Sequence, residues 1–284
     1  MNTVFDTATL REIVAQWRRK GERVAFVPTM GNLHDGHISL LTHARDLADR
    51  TVASIFVNPI QFGVGEDYTA YPSTLQADQD KLTRIGLDVL FVPNLDELYP
   101  AGMEEDTRVT VPSLSSILCG KYRPGHFTGV ATVVTKLFFS VQPDYALFGE
   151  KDLQQLMVIR RMVDDLRIPV EIIGKSIVRE ADGLAMSSRN SYLSTEEREV
   201  APIIYRTLQK ASIDVCAPGA DFRKIESSCF AHLQVSGFKP EYFSIRRSFD
   251  LAKATNQDRK LSILTAAWLG TARLIDNIQV NADD

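Results

Sequence analysis

The stretch that decides the fold reads Val24-Ala-Phe-Val27-Pro-Thr-Met-Gly31-Asn32-Leu-His34-Asp-Gly-His37, and an amphipathic run from Ile38 to Ala48 follows it. The opening apolar run, rich in valine and phenylalanine, predicts a short buried strand. Leu40, Leu41, Ala44, Leu47 and Ala48 recur at helical spacing and predict a helix with one apolar stripe. Between the two, Gly31 and Gly36 let the backbone approach a ligand closely. The start of a helix presents backbone N–H groups and the positive end of its dipole, which suits an anion. A lone histidine is most often a satisfied core or surface residue. Two of them at such a junction, His34 and His37, read instead as donors to phosphate oxygens.

The same alternation runs outward from this segment. Val52-Ala-Ser-Ile-Phe-Val57, Asp88-Val-Leu-Phe-Val92, Tyr145-Ala-Leu-Phe148 and Val170-Glu-Ile-Ile173 predict further buried strands. Leu156, Ile159, Val163 and Leu166 mark a helix expected to start near Lys151. Strands and helices in alternation imply βαβ units and an α/β fold, a Rossmann-like doubly wound parallel sheet. Such sheets bind ligands at the C-terminal ends of their strands. The pattern changes after Lys175. A loop-like stretch from Glu180 to Asn190 precedes Ser194 and Glu197, which are spaced as a capping box. Helical stretches near 195–213 and 219–236, split by Ala217-Pro-Gly219, lead to candidate strands near 241–247, 260–267 and 272–278. The reading is a domain at 1–175 and a smaller C-terminal α+β domain at 176–284.

Composition agrees and excludes several classes. The chain has 284 residues, 44% hydrophobic and 24% charged, which is globular and long enough to bury a core without staples. Its 32 Lys and Arg against 36 Asp and Glu give a formal charge of −4. A nucleic-acid binder is expected to be basic, and the single basic triplet, Arg18, Arg19 and Lys20, reads as a helix end before Gly21. The longest apolar stretch, Val130 to Val141, is interrupted by Lys136 and is too short to span a bilayer. Cys119, Cys216 and Cys229 show no metal-ligand spacing and read as reduced thiols. With Asp6, Arg11 and Glu12 near the start there is no signal-peptide core, so a cytoplasmic protein is expected.

Other segments carry chemistry. Phe148-Gly-Glu-Lys-Asp-Leu-Gln-Gln155 again follows a strand: Gly149 gives backbone approach, and Lys151 gives a point charge for phosphate. Lys151 and Gln155, four apart, are expected to face one ligand. Met186-Ser-Ser-Arg-Asn190 sits where a closing lid would lie, and Arg189 can stabilise charge on pyrophosphate. Asn58-Pro-Ile-Gln-Phe62 follows the second predicted strand. Its neutral amides, Asn58 and Gln61, suit a small substrate's hydroxyls and carboxylate. The loop Lys121-Tyr-Arg-Pro-Gly-His-Phe-Thr-Gly129 has cationic and imidazole groups but no role that spacing assigns.

The H-x-G-H signature resembles that of the nucleotidyltransferase superfamily. PTMGNLHDGH (28–37), SIFVNPIQFG (54–63), DYTAYPSTL (67–75), RPGHFTGVATVV (123–134), FGEKDLQQ (148–155), VREADGLAMSSRN (178–190) and AAWLGTARLIDN (266–277), in that order, resemble the pantothenate synthetase (pantoate–β-alanine ligase) family. Asn32 departs from the family's more usual alanine. The resemblance implies adenylation of the pantoate carboxylate by ATP, then attack of the β-alanine amine on pantoyl-adenylate. It implies that Met30, Gly31, Asn32, Leu33, His34, Asp35, Gly36 and His37 hold ATP, with His37 as proton donor. Gly149, Glu150, Lys151, Asp152, Val178, Met186, Ser187, Ser188 and Arg189 would also hold ATP. His34, His37, Lys151 and Arg189 would carry the chemistry. Gln61, Gln155 and Asn58 would meet pantoate, and Gln61 also β-alanine. Mg²⁺ and a homodimer are implied too. The alternatives are a related nucleotidyltransferase acting on another small acid and a non-catalytic nucleotide-binding module.

Overall fold

The computed structural model describes residues 1–63, 65–69, 71, 72 and 74–282. Ala70 and Ser73, part of the 67–75 motif, lie outside the described residues. The chain divides into two compact units, Met1–Glu150 with Gln155–Ser176, and Lys151–Gln154 with Ile177–Asp284.

The first unit carries a six-stranded parallel sheet of β1 (Asn2–Val4), β2 (Val24–Thr29), β3 (Arg50–Ile55), β4 (Val89–Phe91), β5 (Tyr145–Gly149) and β6 (Glu171–Lys175). Their order across the sheet is β1-β4-β3-β2-β5-β6. The short strand β1, which pairs with β4, is not marked by any apolar run in the sequence. The helices are α1 (Thr7–Arg19), α2 (Asp35–Leu47), α3 (Leu75–Arg84), α4 (Leu95–Leu98), α5 (Cys119–Tyr122), α6 (His126–Val141) and α7 (Leu153–Leu166), whose first two residues belong to the second unit. Strand periodicity sends alternate residues of β2 to opposite faces. Ala25 and Val27 join a core with Leu40, Leu41 and Ala44 of α2 and Leu82 of α3. Phe26 meets Phe138 of α6 edge-on. Both faces are therefore covered, as a parallel sheet requires. Arg18, Arg19 and Lys20 do end a helix, and Gly21 then takes φ +74°. The charge that interrupts the apolar run of α6 is accommodated: Lys136 bonds Asp106 and the Leu98 carbonyl.

The second unit carries α8 (Thr195–Val200), α9 (Ile203–Asp214) and α10 (Phe222–Val235), followed by β7 (Lys239–Arg247), β8 (Lys260–Leu269) and β9 (Ala272–Asn281). The strands form an antiparallel sheet in the order β7-β8-β9. Leu208, Leu233, Phe243, Ile245, Ile263 and Leu274 are among its core residues. The expected helix at 195–213 is two helices, because Pro202 has no N–H to continue α8. The capping box is formed: Ser194 Oγ accepts from Glu197 N–H, and Glu197 Oε2 accepts from Ser194 N–H. Among the described residues no helix is long and apolar enough to cross a membrane.

Candidate active site

Sheet order places the site. β2 and β5 are neighbours, and from them the chain is laid outward in opposite directions. This is the topological switch point at which doubly wound sheets take ligands. The C-terminal end of β2 runs into Met30–His37, and that of β5 ends at Gly149.

The histidine spacing has a local cause. His34 is the N-cap of α2, and its Nδ1 accepts from Gly36 N–H at 3.2 Å. Three residues on, His37 Nδ1 accepts from His34 N–H at 3.3 Å. The pair forms a capping box built of imidazoles, with ring centroids 4.1 Å apart. Because each Nδ1 accepts, each ring, when neutral, carries its proton on Nε2. Asp35 adds a carboxylate in the first turn.

The turn before α2 is held from outside. Gly31 has φ +83°, and a Cβ there would press Asp78 and Ile55 at 3.2 Å. Asn32 has φ 50°, a left-handed conformation that asparagine tolerates better than alanine. The departure from the family's alanine therefore suits the backbone. Asp78 of α3, buried at 1% exposure, accepts from Asn32 N–H at 2.8 Å and Leu33 N–H at 2.9 Å. Lys81 donates to the Leu33 carbonyl. The Leu33 side chain itself lies in the core, so it can offer a ligand only backbone.

Gln61 sits on the short helical turn Pro59–Gln61 after β3, 8% exposed. Its Nε2 lies 2.9 Å from Met30 Sδ, which brings it beside the histidine loop. Its Oε1 accepts from Asn58 Nδ2 at 3.2 Å. Asn58 is 1% exposed and gives its other amide hydrogen to the Gly129 carbonyl. Its Oδ1 accepts from the Tyr99 hydroxyl at 2.8 Å. Burial pushes the Tyr99 phenol up, so it remains a donor. Asn58 thus spends its polar atoms inside the protein. These bonds fix the Asn58 amide beside Gln61.

The 121–129 loop, which spacing left without a role, is the cradle of Gln61. His126 Nδ1 is 2.7 Å from the Gln61 carbonyl, and Arg123 also donates to that carbonyl. Arg123 bridges to both carboxylate oxygens of Glu66. Burial raises the Glu66 carboxyl, but the hydrogen bonds and charge of Arg123 outweigh it and hold it below its ordinary range. A Cβ on Gly129 would lie 2.8 Å from Gln61 Cα, so glycine is needed for α6 to pack here.

Lys151 is not on α7. It lies in a 3-10 turn, Glu150–Asp152, and α7 begins at Leu153. Such tight turns are frequent at helix starts. Residues 151–154 group with the second unit, whereas Gln155 belongs to the first. Lys151 Nζ lies 3.7 Å from the exposed carboxylate of Asp152.

In the second unit, residues 178–190 fold back as a hairpin-like loop. Met186 N–H bonds the Val178 carbonyl, and Gly183 makes the turn at φ +94°. Ser187 Oγ caps the short helical segment Ser188–Tyr192 by accepting from Arg189 N–H. Asn190 donates to Glu180 and the Ala185 carbonyl, and Arg198 holds Glu180 and Asp182. The Ser187–Arg189 segment is therefore anchored on both flanks.

A family model described as pantoate-beta-alanine ligase matches residues 2–279. The chain belongs to the pantoate-beta-alanine ligase family. It is 56% identical to a pantothenate synthetase of Pseudomonas fluorescens over 283 residues, covering 100% of this chain and 99% of that one. It superposes on a pantothenate synthetase crystal structure from Thermus thermophilus with TM-score 0.90 and 46% identity, covering 98% of this chain and 99% of that one. A pantoate-beta-alanine ligase structure from Francisella tularensis, complexed with beta-gamma ATP and beta-alanine, matches at TM-score 0.83 and 34% identity, over 100% of this chain and 98% of that one.

Proposed function

We propose that this protein condenses (R)-pantoate with β-alanine to pantothenate, cleaving ATP to AMP and pyrophosphate through a pantoyl-adenylate. The observation that carries the reading is the buried Gln61 amide beside Met30 of the histidine loop. It puts a neutral group suited to a small hydroxy acid next to donors suited to a phosphate chain.

In this reading residues 1–175 bind nucleotide and pantoate, and 176–284 serve as a lid. ATP is held by Met30–His37, by Gly149–Asp152, by Val178 and by Met186–Arg189. A pantoate carboxylate oxygen attacks the α-phosphorus, and the bond to pyrophosphate breaks. His34 and His37 donate from Nε2 to phosphate oxygens, while Lys151 and Arg189 offset the charge that builds on the leaving group. The carboxylate is already a nucleophile, so positioning supplies much of the acceleration. Gln61 and Gln155 hold pantoate, and Gln61 then faces β-alanine. The β-alanine amine attacks the acyl carbon, AMP leaves, and the amine proton goes to solvent or a nearby base.

Among the described residues no three His, Cys, Asp or Glu side chains gather as a metal cage. That suits Mg²⁺ arriving on the nucleotide, since this ion takes one or two carboxylates plus phosphate oxygens. Asp152 is an exposed carboxylate of that kind, and the ion would neutralise phosphate charge. A cytoplasmic homodimer is the working form the resemblance implies, and gel filtration tests the dimer.

The deciding assay supplies ATP, pantoate and β-alanine and measures AMP. AMP release that requires both acids is expected, and His37→Ala should lower it by about 100-fold or more without unfolding the protein. Release with another acid in place of pantoate would defeat the proposal.

A further inference from the structure

We propose that Asn277, on β9, is a positioning residue that sets the orientation of Lys151. The inference rests on the role given to Lys151 above. It draws on the 266–277 motif, to which the proposed chemistry assigns no task.

Asn277 is 3% exposed, and its Nδ2 donates to the Lys151 carbonyl at 3.0 Å. Lys151 lies in a short 3-10 turn. The hydrogen-bond geometry of such a turn is poorer than that of a helix interior, so outside bonds weigh more in setting its direction. The donor itself is locked. Asn277 N–H bonds Asp276 Oδ1 at 2.7 Å, and its carbonyl accepts from Arg179 Nη2 at 3.3 Å. Arg179 also makes a fork to the Asp276 carboxylate, at 2.7 and 2.9 Å. The guanidinium stacks over the Tyr205 ring, 3.6 Å from its centroid. These bonds hold the Asn277 main chain on both sides of its Cα, which fixes the point from which its side chain reaches the Lys151 carbonyl. Asp276 is buried, and the positive charge of Lys151 acts on it across the same cluster. The lysine's backbone is thereby tied to a strand more than a hundred residues away in sequence. Catalysis by a point charge is sensitive to such placement, because a misplacement of about 1 Å can lower a rate by about 100-fold.

The test is a double-mutant cycle on pantoate-dependent pyrophosphate release. Asn277→Ala should lower kcat by about 10-fold or more and leave KM for β-alanine within about 2-fold, as for a displaced catalytic group. In a Lys151→Ala background the same change should cost less than about 2-fold, since the group it orients is gone. Leu274→Ala, a core truncation on the same strand, controls for stability: it should lower Tm while keeping kcat. Equal losses from Asn277→Ala in both backgrounds would overturn the inference. So would a loss that Leu274→Ala reproduces. If Asn277→Ala does not fold, Asn277→Ser, which keeps a shorter donor, is held to the same comparison. Parent-like rates in Lys151→Ala would instead overturn the role of Lys151, and this inference with it.

Discussion

Two histidines three apart can cap a helix as well as grip a phosphate, and here His34 and His37 do the first in a way that prepares the second. The capping uses Nδ1 of both rings, so the opposite nitrogens hold the protons. The sequence showed the pair and its glycines, because the motif is local. It did not show Asp78, which looks like one more solvated carboxylate on a polar helix. Its partners, the Asn32 and Leu33 amides, are more than forty residues away in sequence. Asp78→Asn leaves one acceptor where two backbone donors converge, and an unsatisfied buried donor costs about 1–3 kcal/mol. The variant should raise KM for ATP and lower kcat by about 10-fold, because a distorted loop misplaces His34 and His37. Steady-state kinetics beside a melting curve check this. Unchanged ATP kinetics in a folded variant would refute it.

Strands and helices were legible where apolar runs are contiguous. The strands β2 to β6 and the helix α2 follow directly from short apolar runs and a helical stripe. β1 escaped because three residues at a sheet edge carry too little pattern. The split of α8 from α9 needed only Pro202. The helix start near Lys151 came out two residues late, at Leu153, because spacing cannot tell a 3-10 turn from the first turn of an α-helix. The 121–129 loop stayed mute because its partner, the Gln61 carbonyl, is a backbone atom that no motif displays. The Glu66–Arg123 pair in this cradle has a pH consequence. Its carboxyl is held below the ordinary glutamate value of 4.5, so its stabilisation is complete above that pH and is lost as pH falls below it. Glu66→Gln should therefore be less stable than the parent at neutral pH, with the gap closing in acid below that value. Melting temperatures across the acid range measure it, and a gap that widens in acid would contradict the assignment.

Over the whole molecule, the mild acidity of the chain proved no guide to its local charge. The groups proposed to face phosphate are a few side chains and helix starts, which a net charge of −4 does not reveal. The cysteines give a probe at this scale. None of the three is in a disulfide, and Cys216 is exposed while Cys119 and Cys229 are buried. Burial also raises the Cys229 thiol and keeps it from ionising. A thiol reagent should label Cys216 promptly in the native protein and the other two only on unfolding. Mass spectrometry of the labelled peptides reads this, and prompt labelling of Cys229 would argue against the buried core around it.

The four residues Lys151–Gln154 belong to the unit that holds β9, although the chain on either side of them does not. The polypeptide passes between its units at three points in sequence, on either side of this tetrapeptide and again after Ser176. A gene fusion that exchanged everything after Ser176 would bring a new β9 to an old Lys151. The two would then have to be matched anew through the bond that Asn277 makes. Such an exchange keeps the bond only if the incoming β9 carries a side-chain donor at position 277, since the acceptor at 151 is a main-chain carbonyl. The last strand and a tetrapeptide from the middle of the chain belong to one compact unit.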